Sequence, residues 1–486
     1  MNPFIHTMLF NSITYLFFII IVFALYWSLL RNNFKWQNLF LFIASYCFYG
    51  WWDVRFLALI FISSSVDFFL GRAIFNEPVR KKKQYLLGLC IFINLGMLAF
   101  FKYYNFFSES FSILIEQLGF HSNLHTLQII LPVGISFYTF QSLSYSIDVY
   151  RGKIKPTNSF ISFMTFVSFF PQLVAGPIER ASDLLPQFLK ARTFDIVKVK
   201  SGFRFILWGL FKKMVIADRL AYFVDHVYNS SANYSGITLI AVAFMFGFQI
   251  YCDFSGYSDI AIGSARLLGF DLMQNFRFPY FSKSLQEFWQ RWHISLSTWF
   301  RDYVYIPLGG NKVSKKRWIL NILITFTLSG LWHGAAATFV LWGFLHGSFL
   351  IVESFIKPDR PSKLRNWLGF LITFSFVNFA LIIFRSKSLD QSYEIFSRLT
   401  DLNWIFMDQL QHAWQTSSQF KEFAISTIIG FPIFLITEIS IRENDFNELI
   451  VNLSTTKRWG MYLFFTALIL VFGVLNLAPQ FIYFQF

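Results

Sequence analysis

Apolar runs of membrane length alternate with short polar loops from one end of the chain to the other. The segment 8–30 contains no Asp, Glu, Lys or Arg, and further apolar runs cover roughly 36–52, 55–75, 84–106, 128–147, 158–174, 203–223, 236–252, 318–333, 335–356, 366–384, 422–440 and 459–478. About 20 helical residues cross a bilayer core. The pattern therefore predicts an all-α, polytopic membrane protein with about ten to thirteen membrane helices. The shorter runs are expected to be re-entrant or interfacial, around a central tunnel. The first run is too long for a signal-peptide core and no small-residue cleavage site follows it, so it is expected to be a retained span. No linker separates a soluble domain. The expectation is one integral-membrane domain over 1–486, with amino-terminal spans 1–127, a catalytic core at about 128–356 and carboxy-terminal spans 357–486.

Interruptions in this pattern mark where chemistry could sit. Leu-Pro-Val-Gly at 131–134 and Pro-Gln-Leu-Val-Ala-Gly-Pro at 171–177 place Pro and Gly at membrane depth. Proline removes a backbone donor and kinks helices. Non-helical backbone is tolerated in a membrane only inside protein or along a wet cavity, so these breaks predict a polar chamber. The segment 318–352 has no Asp, Glu, Lys or Arg; His333 and His346 are its ionisable residues. Ser329-Gly330 and Gly334 flank His333, where a bend costs least. In 281–308, Phe288, Trp292, Trp299 and Tyr303 recur at helical spacing among Arg291, Arg301 and Asp302. That spacing predicts an amphipathic interfacial helix. An aromatic belt accounts for its tryptophans but not for His293, which a tilted or re-entrant helix would carry towards the chamber.

Composition sharpens the class. The chain is 55% hydrophobic and only 14% charged, well below the quarter or so typical of soluble domains. The net charge of +14 does not point to nucleic acid, because the basic residues cluster in short segments at membrane edges. These are Arg80 to Lys83; Lys198, Lys200, Arg204, Lys212 and Lys213; Lys312, Lys315, Lys316 and Arg317; and Lys357, Arg360, Lys363 and Arg365. Such clusters are held on the cytoplasmic side. Cys47, Cys90 and Cys252 are isolated and form neither a disulfide nor a metal pattern. No internal repeat supports an inverted-repeat transporter.

His333 is the first candidate for chemistry. A neutral imidazole accepts a proton from a hydroxyl near neutral pH, and an ionisable group at membrane depth is a functional candidate by default. A buried histidine bonded to a carbonyl freed by the bend would occupy the same place. His293 is the second, either positioning or polarising an acyl carbonyl, or serving as an interfacial side chain. His346 follows His333 by thirteen residues, about 20 Å along a continuous helix. It is read as a packing residue, since a shared site would need the chain to fold back. Asp259 and Arg266 share a helical face and predict an ion pair. Asp253 lacks such a partner and is free to orient a histidine or line the chamber. A Cys252 thiolate is disfavoured by its apolar setting.

These segments resemble the membrane-bound O-acyltransferase family. The resemblance is carried by LPVGISFYTFQ (131–141), FPQLVAGPIERASDLLPQF (170–188), FQIYCDFSGYSDIAIGSARLLGF (248–270), NFRFPYFSKSLQEFWQRWHISLSTWFRDYVYIPLGGN (275–311) and SGLWHGAAATFVLWGFLHG (329–347). MLFNSITYLFF and SYCFYGWWDVRFLALIF also resemble the bacterial branch that O-acetylates polysaccharides such as alginate. The carboxy-terminal hundred residues match only in hydropathy. The resemblance implies that His333 is catalytic and that His293 assists. Asp253, Trp292, Trp332 and Arg301 are candidate substrate contacts beside them. It implies no bound cofactor or metal; an acyl thioester, acetyl-CoA by preference, is the co-substrate. An exported polysaccharide would be the acceptor, a periplasmic acyltransferase the partner, and the bacterial inner membrane the location. Gln290 stands where the branch commonly has a basic residue, and Ala336-Ala337 where larger ones are usual, which bears on donor contacts and acyl size. D-alanyl transfer to teichoic acid is the neighbouring alternative. A transporter or flippase is the alternative from another class.

Overall fold

The computed structural model describes residues 8–31, 33–119, 127, 129–174, 176–356, 362–401, 410, 411, 413–415, 417–442, 444–474 and 481–484. Ala175, Lys357 and Arg360 lie outside them, as do parts of the runs 128–147 and 459–478. Among the described residues, six helices are long and apolar enough to cross a membrane: Arg55–Asn76, Arg80–Gln117, Gly236–Leu267, Ala337–Phe355, Lys363–Arg385 and Ser418–Ile441. Ile13–Ser28 and Phe160–Leu173 are shorter and apolar. Their outward faces carry large bare side chains such as Phe17, Phe92, Trp367 and Ile428. In water such a surface would be an aggregation hazard; in lipid it needs no cover. The residues group into two units, 1–199 with 264–273, and 200–263 with 274–486.

In the first unit, side-chain caps set helix starts: Ser12 accepts the Tyr15 N–H and Asn33 accepts those of Lys35 and Trp36. Polar residues at membrane depth are tied together, as expected where no water competes. Asn38 donates to Ser162 Oγ and to the Phe188 carbonyl, and its own oxygen accepts from Arg192 at 2.7 Å. The break at 131–134 is used as a helix start. Gly134 (φ 74°) precedes Ile135–Tyr150, and a Cβ there would lie 2.6 Å from the Leu173 carbonyl oxygen, so only glycine fits.

The second unit holds both candidate histidines. The segment 203–223 is helical, with a widened π turn over Phe211–Ala217 that turns Lys212 and Lys213 inward. Both lysines, and Arg204, were expected at a positive loop; instead all three are buried. Lys212 pairs with Asp259 at 2.7 Å, and Lys213 with Asp218 at 2.8 Å and Asp253 at 2.6 Å. Asp259, expected in an ion pair on helical spacing, is paired with Lys212 from the neighbouring segment. Arg204 donates to Tyr462 and Asn447. A charge at this depth persists only when paired, and the pairing is long-range, which sequence spacing does not reveal.

Lys315–His333 and Ala337–Phe355 form a helical hairpin. The expected bend at Ser329-Gly330 is absent; the helix runs through it and stops at His333, and the chain turns over 334–336. Gly330 serves packing instead. It faces Gly343 across the hairpin, and a Cβ on Gly330 would lie 3.1 Å from Gly343 Cα and run into the Phe339 carbonyl. Two facing glycines let the backbones approach closely, the usual device of membrane helix pairs.

Candidate active site

His333 owes its position to the end of a helix. As the last residue of Lys315–His333 it is 97% covered, and the turn that follows leaves its ring facing inward. His293 arrives by a different route. The expected continuous helix over 281–308 is broken into Leu285–Arg291, Ile294–Phe300 and a π turn at Arg301–Tyr305. His293 sits in the break with φ 43°, a left-handed backbone that a non-glycine residue adopts only under constraint. The constraint is visible: Ile294 N–H donates to the Asn275 carbonyl at 2.9 Å, and the Ser295 N–H and hydroxyl both donate to Asn275 Oδ1. The break, not an interfacial tilt, turns His293 inward, and no part of its side chain is exposed.

The two imidazoles meet with ring centres 6.4 Å apart. Trp332 packs against both, at 5.9 Å from His293 and 5.1 Å from His333. His333 also lines a cavity of about 10 Å³ with Trp292, Trp342, His346 and Tyr483. That is room for one water at most. Beside it lies a cleft of about 1180 Å³, lined among others by Lys283, Trp289, Gln290, Arg301, Ser329 and Arg365. Trp289 borders the cleft, and its ring centre is 5.8 Å from Trp342 and 5.3 Å from His346.

Asn275 fixes the proton on His293. Its Oδ1 accepts the Ser295 N–H, so the same oxygen, 3.2 Å from His293 Nδ1, can only accept from the ring. Nδ1 therefore carries hydrogen and Nε2 keeps a lone pair. Burial holds this ring neutral, with its pKa pushed down to about 3. With hydrogen on Nδ1, the ring offers an acceptor at Nε2.

The other expected residues are dispersed. Trp292 lines the small cavity, stacked on Phe288 with ring centres 5.4 Å apart. Arg301 lines the large cleft and pairs with Asp302 at 2.8 Å. Asp253 does not face the histidines in its recorded bonds: one oxygen holds Lys213 and the other accepts the Ile482 N–H at 2.7 Å. That bond anchors the turn Ile482–Phe484, whose Tyr483 ring lies 5.6 Å from His333 and 6.3 Å from His293. Asn275, Trp342 and Tyr483 were not anticipated. Asn275 was visible at the start of a quoted motif. Tyr483 carried no signal, since its segment showed only apolar character.

Two imidazoles thus lie side by side in a helical protein with membrane-length helices, one of them held neutral. The signature of the membrane-bound O-acyltransferase family matches residues 155–393. The chain is 38% identical over 424 residues to the probable alginate O-acetylase AlgI of Azotobacter vinelandii, covering 87% of this chain and 84% of that one. It is 34% identical over 448 residues to the peptidoglycan O-acetyltransferase of Helicobacter pylori, covering 86% and 84%. Against the teichoic acid D-alanyltransferase of Bacillus subtilis it is 30% identical over 277 residues, 52% of this chain and 69% of that one. The chain belongs to the membrane-bound O-acyltransferase family, and it is a multi-pass membrane enzyme that transfers an acyl group.

Proposed function

We propose that the enzyme transfers a small acyl group, acetyl by preference, from a cytoplasmic thioester to a hydroxyl of an exported polysaccharide or of a periplasmic partner, in the bacterial inner membrane. The observation that carries this reading is that His293 and His333 lie with ring centres 6.4 Å apart, His333 lining a small cavity whose wall reaches the large cleft through Trp289. Lys283, Arg301 and Arg365 along that cleft suit a phosphate-bearing donor such as acetyl-CoA. The relatives that share more than four-fifths of this chain act, by their names, on alginate and peptidoglycan, which supports a glycan acceptor.

In this reading, His293 Nε2 accepts a hydrogen bond that orients the acceptor hydroxyl. His333 takes the hydroxyl proton as the oxygen attacks the thioester carbonyl. The C–S bond then breaks, and the leaving thiolate takes the proton back, giving an ester, a free thiol and a neutral His333. A positioned general base contributes roughly two to four orders of magnitude. The test is the O-acetyl content of exported polysaccharide in cells carrying His333→Ala at wild-type membrane levels. A fall of roughly a hundredfold or more is expected; unchanged acetylation removes the reading. D-alanyl transfer from a carrier protein stays second, because the relative with that name matches only half of this chain.

A further inference from the structure

Three aromatic side chains with polar nitrogens stand between the cleft and the histidine cavity, and the mechanism above uses none of them. Trp289, Trp342 and His346 are 8%, 4% and 1% exposed. Indole Nε1 of both tryptophans and both ring nitrogens of His346 have no hydrogen-bond partner among the described residues. A buried polar group left unpaired costs about 1–3 kcal/mol. Four such atoms in one wall therefore point to something that pairs with them. The rings touch in sequence: Trp289 to His346 at 5.3 Å, His346 to Trp342 at 4.6 Å, and Trp342 edge-on to His333 at 5.2 Å. Trp342 and His346 are four residues apart on one helical face. The fold-back that would bring His346 to His333 does occur, at 334–336, and both line the same small cavity.

The chemistry of this wall is specific. Two indoles offer N–H donors only, and a neutral imidazole offers one donor and one acceptor. The wall is rich in donors, carries no formal charge and continues into Phe376 and Phe384, which lie against His346 and Trp342. Such a slot fits an uncharged acceptor on a short apolar group. Within the acyl-transfer reading, the geometry points to a carbonyl-binding sleeve: Trp289, His346 and Trp342 take the thioester carbonyl oxygen as the acyl group moves from the cleft to His333. His293, with a lone pair rather than a hydrogen at Nε2, supplies no such donor there. Because the cavity beside His333 has only about 10 Å³, the rings must part as the acyl group arrives.

Equilibrium binding of two unreactive coenzyme A derivatives to the purified protein tests this. One carries a ketone in place of the thioester (S–CH₂–CO–CH₃); the other is the matching S-propyl thioether, which lacks the carbonyl. The ketone should bind the wild type roughly fivefold more tightly, the worth of about one net hydrogen bond. That advantage should vanish in His346→Phe and Trp342→Phe, and return in His346→Gln, which keeps an N–H. Thioether affinity should stay level throughout, which a merely damaged fold would not allow. If His346→Phe fails to fold, Trp342→Phe and His346→Gln give the same comparison. Equal binding of both compounds by the wild type, or a ketone advantage undiminished in the variants, overturns the sleeve alone. Failure of both compounds to bind the wild type overturns the acyl-CoA reading as well.

Discussion

Asn275 Oδ1 lies 3.2 Å from His293 Nδ1 and at the same time accepts the Ser295 backbone N–H at 3.2 Å. One carboxamide oxygen thus sets both the tautomer of the imidazole and the strained backbone that presents it. Asn275→Ala removes the acceptor facing Nδ1 and both Ser295 bonds, leaving the main-chain carbonyl at 275 as the remaining hold from that residue on the left-handed turn. Loss of orientation at this scale costs roughly a hundredfold in rate. The acyl-transfer rate of Asn275→Ala in membranes, normalised to inserted protein, should fall by that order with little change in donor KM. A wild-type rate would show that the ring is held by something else.

The neutrality of His293 has a consequence for acid stability. Its pKa in the folded protein, about 3, lies below the ordinary 6.5, and it sits in a break between short helices outside the spanning segments. A depressed basic group favours folding fully above pH 6.5, and that contribution is lost as pH falls towards 3, because the unfolded chain binds the proton first. The expected slope from this group is about 1.4 kcal/mol per pH unit below pH 6.5. In detergent, the melting temperature of the wild type should drop more steeply between pH 6.5 and 4.5 than that of His293→Asn. Parallel pH profiles for the two proteins would contradict the buried neutral ring.

Much of this arrangement was legible in the chain, and the failures have a common cause. The hairpin over 318–356 was visible because apolar length and Gly334 report on local chain geometry. His293 drew notice because an aromatic belt could not account for it. Gly330 was misread because a glycine that permits a bend and a glycine that permits helix contact look alike; only the partner, Gly343, distinguishes them. Asp253 looked unpaired because its partners are Lys213, forty residues away, and the Ile482 backbone. The distance that set His346 apart from His333 assumed a straight helix, whereas the hairpin brings both to one small cavity. Each error concerned which distant residue comes alongside, which periodicity does not encode.

The Lys213–Asp253 pair gives a stability test. Lys213 is 1% exposed and holds both Asp218 and Asp253, so Lys213→Met leaves two buried carboxyl groups without their cation. Breaking a buried pair from one side costs roughly 3–5 kcal/mol. Lys213→Met should lower thermal stability in detergent strongly, and adding Asp253→Asn should recover part of the loss. Additive losses in the double variant would mean that the two groups do not interact.

Tyr483 forms part of the wall of the small cavity. Its ring lies 5.6 Å from His333, 6.3 Å from His293 and 4.5 Å from Phe254, and its segment is tied down by the Ile482–Asp253 bond. Phe481 adds a ring contact with Tyr257 at 4.4 Å. Packing alone would be satisfied by phenylalanine, so Tyr483→Phe separates filling from chemistry. A phenol whose ring packs beside two imidazoles carries a hydroxyl suited to pass or hold a proton, or to meet the acyl group itself. Removing that single oxygen should cost about tenfold or more in acyl transfer while leaving the melting temperature within about 2 °C, since little packing changes. Full activity in Tyr483→Phe, with loss confined to Tyr483→Ala, would reduce the residue to a space-filling wall.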